Sequence, residues 1–104
     1  MENVQQELII TIVNQGYSEQ VMNVAKKFGA NGGTLISGRG LGNGESIKFL
    51  NITIDPEKDI ILNLVSSDLK HKIMNMIVEN CGLKSPGAGI CFSVPVNYVV
   101  GLNN

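Results

Sequence analysis

The sequence predicts an α+β domain of the ferredoxin-like, split βαβ type, because one strand–helix pattern occurs twice along it. The first copy begins with the apolar run 8–13 and the second with the run 60–65, and a helical pattern follows each run. The copies align at one constant offset, and the matched pairs are Ile9 and Ile61, Val13 and Val65, and Met22 and Met74. Each copy then passes through glycines into another apolar strand. Two βαβ units predict four core strands with two helices on one sheet face.

The other face of this predicted sheet also bears apolar residues, so we expect a homotrimer in which neighbouring subunits cover it. The length of 104 residues fits a single domain, 1–104. A net charge of −1 offers no basic stripe, so we expect no nucleic-acid partner. No apolar run reaches the ~18–20 residues of a membrane span, and the segment 1–6 does not resemble a signal peptide. These features predict a cytoplasmic protein without membrane insertion.

Hydrophobic periodicity and turn residues place the elements along the chain. In chain order we expect a strand at 7–13, a helix at 19–28, a strand at 34–37, a strand at 47–54, a turn at 55–58, a strand at 59–65, a helix at 68–80, a strand at 89–94 and an extended segment at 95–100. The segment 38–44 holds too many glycines for a packed element.

Polar residues and glycines mark the ends of both predicted helices. Ser18 is expected to cap the first helix, and Ser66 or Ser67 the second. Gly29 and the dipeptide Cys81-Gly82 are expected to end them, since glycine readily adopts the left-handed conformation found after helices.

Few residues are suited to catalysis or metal binding. His71, the sole histidine, falls on the polar side of the second helix and is expected to be solvated. Cys81 and Cys91 are expected to be buried thiols, with a redox pair as the alternative. The acidic residues of the segment 55–59 are expected to form a solvated turn, with a weak divalent-cation site as the alternative. We therefore expect no enzyme.

Two glycine segments are the best candidates for a ligand site. The first, 38–42, follows a predicted strand, and the second, 86–89, precedes one. Glycine allows backbone to approach a ligand closely or to form an anion-binding nest of N–H groups, although glycines also occur in ordinary turns. The first segment is not a Walker A loop, because it lacks the Lys-Ser/Thr pair. The candidate ligand-binding residues are Gly38, Arg39, Gly40, Gly42, Lys84, Ser85, Gly87, Ala88 and Gly89.

From about residue 8 to residue 101 the chain resembles the P-II nitrogen-regulatory signal-transduction proteins. The resemblance lies in Gly40-Leu41-Gly42 after a strand, in Pro86-Gly87-Ala88-Gly89 before Cys91-Phe92, and in the duplicated βαβ pattern. It implies a homotrimer that binds a small effector, usually an adenine nucleotide, between subunits. It also implies regulation of a partner protein, such as a transporter or metabolic enzyme. A metal-binding ferredoxin-like trimer and a small enzyme using the cleft between subunits are the alternatives.

The chain departs from the family pattern at the positions that would face phosphates. Ala88 and Ile90 stand where the family's phosphate loop usually has an acidic residue and a lysine, and the segment 96–100 lacks the family's arginines. The target-docking loop is expected to shrink to roughly 43–46. Arg39, Lys48 and Lys84 are the remaining cations near the two segments. We therefore expect a changed ligand and a changed output.

Overall fold

A computed structural model describes residues 5–40, 47–49, 52–54, 57–83 and 88–102. Six strands and two helices follow one another in these ranges. They are β1 (Gln6–Asn14), α1 (Ser18–Lys27), β2 (Thr34–Arg39), β3 (Ile47–Phe49), β4 (Ile52–Ile54), β5 (Glu57–Ser66), α2 (Ser67–Asn80) and β6 (Gly89–Val96). Within the described residues, no helix is long and apolar enough to cross a membrane.

Four strands form the core sheet in the order β2-β5-β1-β6. All three strand pairs are antiparallel, so β1 and β2 run parallel to each other on either side of β5. Each of the two βα units returns to the sheet at an edge, which is the split βαβ topology. The predicted fold class is confirmed.

The core lies between the sheet and the two helices. Along β1 and β5 the residues alternate between buried and half-buried, because successive side chains of a strand point to opposite faces. The buried apolar residues are Ile9, Val13, Val21, Ala25, Ala30, Ile61, Val65, Ile73 and Ile77. The matched residues Ile9 and Ile61 are both fully buried in the two central strands, so the sequence repeat is also a structural repeat.

Both helices end next to the glycines that were expected to end them, but the start of each helix differs from the prediction. Gly29 and Gly82 follow α1 and α2 at φ +127° and +71°. The prediction that Ser18 caps α1 is wrong, because the helix begins at Ser18 and Tyr17 occupies the N-cap position. Ser66 is the N-cap residue of α2, but its hydroxyl donates to the Asp68 carboxylate and accepts no hydrogen bond from a backbone N–H group of the helix.

The prediction of one strand at 47–54 is wrong. β3 and β4 pair with each other as an antiparallel hairpin and form a sheet separate from the core sheet. The register pairs Ile47 with Ile54 and Phe49 with Ile52, so the two strands run in opposite directions instead of forming one continuous strand. β5 then begins at Glu57, two residues earlier than expected.

The sheet face turned away from the helices, which we call the open face, is apolar. On the edge strand β6, the side chains of Ile90, Phe92 and Val94 are 54%, 38% and 40% exposed. On the other edge Ile36 is 43% exposed. The half-buried residues between them on this face are Leu8, Ile10, Ile12, Ile60, Leu62 and Leu64. A continuous apolar face of this kind marks an interaction surface.

Candidate ligand-binding site

The two glycine segments lie at the same end of the core sheet. The last residue of β2, Arg39, pairs with Glu57, the first residue of β5. The first residue of β6, Gly89, pairs with Val13 near the end of β1. Gly38, Arg39, Gly40, Ala88 and Gly89 are thus brought to one end, whereas Gly42, Lys84, Ser85 and Gly87 lie outside the described residues.

The segments are separated across the sheet within one subunit. β2 and β6 are its two edge strands, with β5 and β1 between them. Three interstrand spacings put Arg39 and Gly89 about 14 Å apart across the sheet. The described part of one subunit therefore does not join the two segments in one pocket.

Lys58 is a cation at this end that the sequence analysis did not select. It pairs in register with Asn14 on one side and with Gly38 on the other. Its ammonium donates a hydrogen bond to the Asn14 side-chain oxygen at 2.8 Å. Lys58 was overlooked because its segment was interpreted as a turn, and only the strand pairing reveals that it lies beside the first glycine segment.

Asp59, at the same end, differs from expectation in its burial. Its carboxylate was expected to be solvated, but the residue is only 6% exposed within β5. Its carboxylate accepts a hydrogen bond from the Gly16 backbone N–H at 3.2 Å. The carboxylate therefore holds the turn between β1 and α1. Asp55 lies outside the described residues, and within them no group of three His, Cys, Asp or Glu residues is close enough to hold a metal ion.

The glycine at position 89 is required by packing inside the subunit. A Cβ atom there would lie 2.7 Å from the Ile12 carbonyl oxygen and 2.8 Å from a methyl carbon of Leu83. A Cβ at Gly38 would meet only the end of the Ile60 side chain, at 3.1 Å. Close approach to a ligand is thus not needed to explain Gly89.

Asn63 fixes the start of β2, the strand that carries the first glycine segment. Its buried side-chain N–H group donates to the Gly32 carbonyl oxygen at 2.8 Å. The backbone there lies so close that a Cβ at Gly33 would be 2.5 Å from the Asn63 amide nitrogen. A buried polar residue in a strand of apolar neighbours was the available sequence signal.

The two thiols are free and poorly suited to nucleophilic chemistry. Burial raises the pKa of both the Cys81 and the Cys91 thiol, and the neighbouring Cys91 raises that of Cys81 further. The Thr11 hydroxyl donates to the Cys91 sulfur at 3.5 Å. Reaction requires the thiolate, which burial disfavours.

Comparison with known proteins identifies relatives by sequence pattern and by fold. Residues 6–103 match the family model described as nitrogen regulatory protein P-II. No curated protein matches the sequence significantly.

Three solved structures with the same fold are similar to this chain. A PII-like signalling protein from Thermus thermophilus superimposes with a TM-score of 0.67 at 20% identity, over 92% of this chain and 90% of that one. PII from Arabidopsis thaliana, bound to citrate, gives 0.65 at 22% identity, over 90% and 77%. GlnK from B. subtilis, in complex with ATP, gives 0.69 at 18% identity, over 92% and 85%.

Proposed function

Because the chain belongs to the nitrogen regulatory protein P-II family, we propose that it is a cytoplasmic, non-enzymatic homotrimer that binds a small effector between subunits. In this proposal the bound effector controls the docking of a partner protein, a transporter or metabolic enzyme, in nitrogen metabolism. The effector is an adenine nucleotide or a related small molecule. The B. subtilis GlnK structure with ATP supports an effector of this class.

The placement of the two glycine segments carries the proposal. They lie at one end of the sheet but on opposite edge strands, about 14 Å apart across it. A neighbouring subunit can close this separation by setting its β6 edge beside the β2 edge of the first. The apolar open face supports such an assembly, because it would otherwise remain in water.

Charge sets the expected effector preference. Arg39 is exposed at the end of β2, and Lys84 is the cation nearest the second segment in sequence. Lys58 also lies beside Gly38, with its ammonium on the Asn14 side chain. A triphosphate buried with so few charge partners would lose much of its hydration without compensation. The site therefore suits a monophosphate or an uncharged effector better than ATP.

Calorimetric titration of the trimer with ATP, ADP and AMP tests this function. We expect AMP to bind at least as tightly as ATP, and the Arg39→Ala and Lys84→Ala double variant to lose affinity on the order of ten- to a hundredfold. Tight ATP binding that survives both substitutions would place the site elsewhere. Binding of divalent cations in place of nucleotides would favour a metal-binding trimer.

A further inference from the structure

The lysines of the two helices are concentrated at one end of the helix pair. Contacts at both ends show that α1 and α2 run antiparallel. At one end the Gln20 side chain donates to the Asn80 carbonyl oxygen at 2.7 Å. At the other end the Lys72 ammonium lies over the Phe28 ring. Glu19 and Glu79 belong to the first of these ends. The second, which we call the basic end, comprises Lys26, Lys27, Lys70 and Lys72, with Asp68 as the one acidic residue of the two helices there.

The positive charge at this end is only partly balanced inside the described part of the subunit, where Glu7 and Asp68 are the carboxylates near the four lysines. The Lys70 ammonium lies 3.4 Å from a Glu7 carboxylate oxygen. Across the described ranges, no carboxylate lies within ion-pair distance of Lys26, Lys27 or Lys72. These three lysines thus lack a counter-charge among the residues that the structure describes.

Two of these lysines flank one aromatic ring. The ammonium nitrogens of Lys27 and Lys72 lie 5.6 and 5.5 Å from the centre of the Phe28 ring. Each is attracted to the ring, but the two cations repel each other. A carboxylate bound beside the ring would be attracted by both cations, and an apolar side chain next to that carboxylate could contact the ring edge.

The charge order of α2 opposes its own dipole. Cations stabilise a helix near its C-terminus and anions near its N-terminus. α2 has Lys70, His71 and Lys72 in its first half, no basic residue in its last turn, and Glu79 next to its final residue. Only Asp68 follows the favourable order. The Glu7 ion pair offsets this cost for Lys70, and the Phe28 ring offsets part of it for Lys72. An arrangement whose cost is only partly offset indicates a functional surface.

From these observations we infer that the basic end docks an acidic segment of a partner protein, in which carboxylates alternate with apolar residues. The net charge of −1 disfavours a nucleic acid. A membrane is also disfavoured as the partner. The apolar group beside these lysines is the half-buried Phe28 ring, which cannot anchor the protein in lipid as long exposed apolar side chains do. The basic end lies at the opposite sheet end from the glycine segments and on the opposite layer from the open face, so it does not depend on the effector site.

Fluorescence polarisation of a labelled peptide of alternating glutamate and leucine tests this inference. The wild-type protein should bind it, and binding should weaken as salt screens the charges. The Lys27→Gln and Lys72→Gln double variant should lose about tenfold in affinity, and Lys72→Gln alone should lose part of this. The matched control is the Gln15→Glu and Ser18→Asp double variant, which changes net charge equally at the other end of the helices and should bind normally.

Three outcomes would overturn the inference. One is a wild-type protein that binds the glutamate peptide no better than the same peptide with glutamine. Another is a control variant that loses as much affinity as the lysine variant, which would show a net-charge effect. The third is tighter binding of an oligonucleotide or of phosphatidylserine-containing vesicles through the same lysines, which would assign a different class of partner.

Discussion

At the scale of single residues, position 89 has no room for a side chain. The Ile12 carbonyl oxygen and the Leu83 side chain would both lie within 3.0 Å of a Cβ, and the backbone is at φ +156°. We expect Gly89→Ala to lower the free energy of unfolding by roughly 1–3 kcal/mol, because backbone and packed side chains must shift. Urea denaturation measures this change.

Gly32 offers the matched control for that substitution. A Cβ there would meet nothing within 4 Å, and the backbone does not require a positive φ. Gly32→Ala should therefore change the free energy of unfolding by less than about 0.5 kcal/mol. Equal stability of the two alanine variants would show that Gly89 is not constrained by its neighbours.

The half-buried thiol of Cys91 makes stability depend on alkaline pH. Burial raises the pKa of Cys91 in the folded state, while an unfolded thiol titrates at about 8.5. The unfolded thiol loses its proton at a lower pH than the folded one. The stability that the protonated Cys91 thiol contributes is therefore fully present below the unfolded-state pKa and is lost as pH rises through the folded-state pKa. The free energy of unfolding should fall as pH rises past about 8.5, and Cys91→Ala should flatten this dependence. An unchanged slope in the variant would exclude Cys91 as the cause.

At the scale of elements, the β3–β4 hairpin is separable from the core sheet. Arg39 and Glu57 are directly paired where β2 meets β5, so a two-residue Asn-Gly turn can replace residues 40–56. We expect the shortened chain to fold with a free energy of unfolding within about 1 kcal/mol of the wild type. Circular dichroism and urea denaturation check this, and collapse of the core sheet would contradict it.

The sequence predicted those elements in which local pattern and tertiary burial agree. β1 and β5 are apolar on both faces, and the repeat alone aligned Ile9 with Ile61, which are both fully buried. The hairpin was overlooked because no glycine or proline between Phe49 and Ile52 marks a turn in the sequence. The position of Lys58 beside the first glycine segment follows from the register between β2 and β5, and sequence periodicity does not specify that register.

At the scale of the whole molecule, the open face predicts the assembly. Its exposed residue Phe92 is paired in register with Ile10 on the neighbouring strand. Sedimentation equilibrium at micromolar concentration should give three times the 11.2 kDa of one chain. Phe92→Glu should release monomers, because an unpaired carboxylate would be buried between subunits. A wild-type protein that sediments as a monomer would contradict the proposed trimer.

Asn75→Glu is the control for that substitution. Asn75 is exposed on α2, which lies on the other side of the sheet from the open face. A trimer centred on the apolar residues should tolerate a charge there better than at Phe92. Equal dissociation of both variants would show that added charge alone, and not its burial at Phe92, separates the subunits.

The separation of Arg39 from the second glycine segment has a genetic consequence. If each site takes its β2 edge from one subunit and its β6 edge from the next, then defects in the two edges complement each other. A mixed trimer of Arg39→Ala and Lys84→Ala chains keeps one site in which both contributing edges are native. Co-expression of the two weakened variants should therefore restore part of the tight effector binding, whereas a trimer of either variant alone should show none of it. Failure to complement in verified mixed trimers would place both residues in a site within one chain.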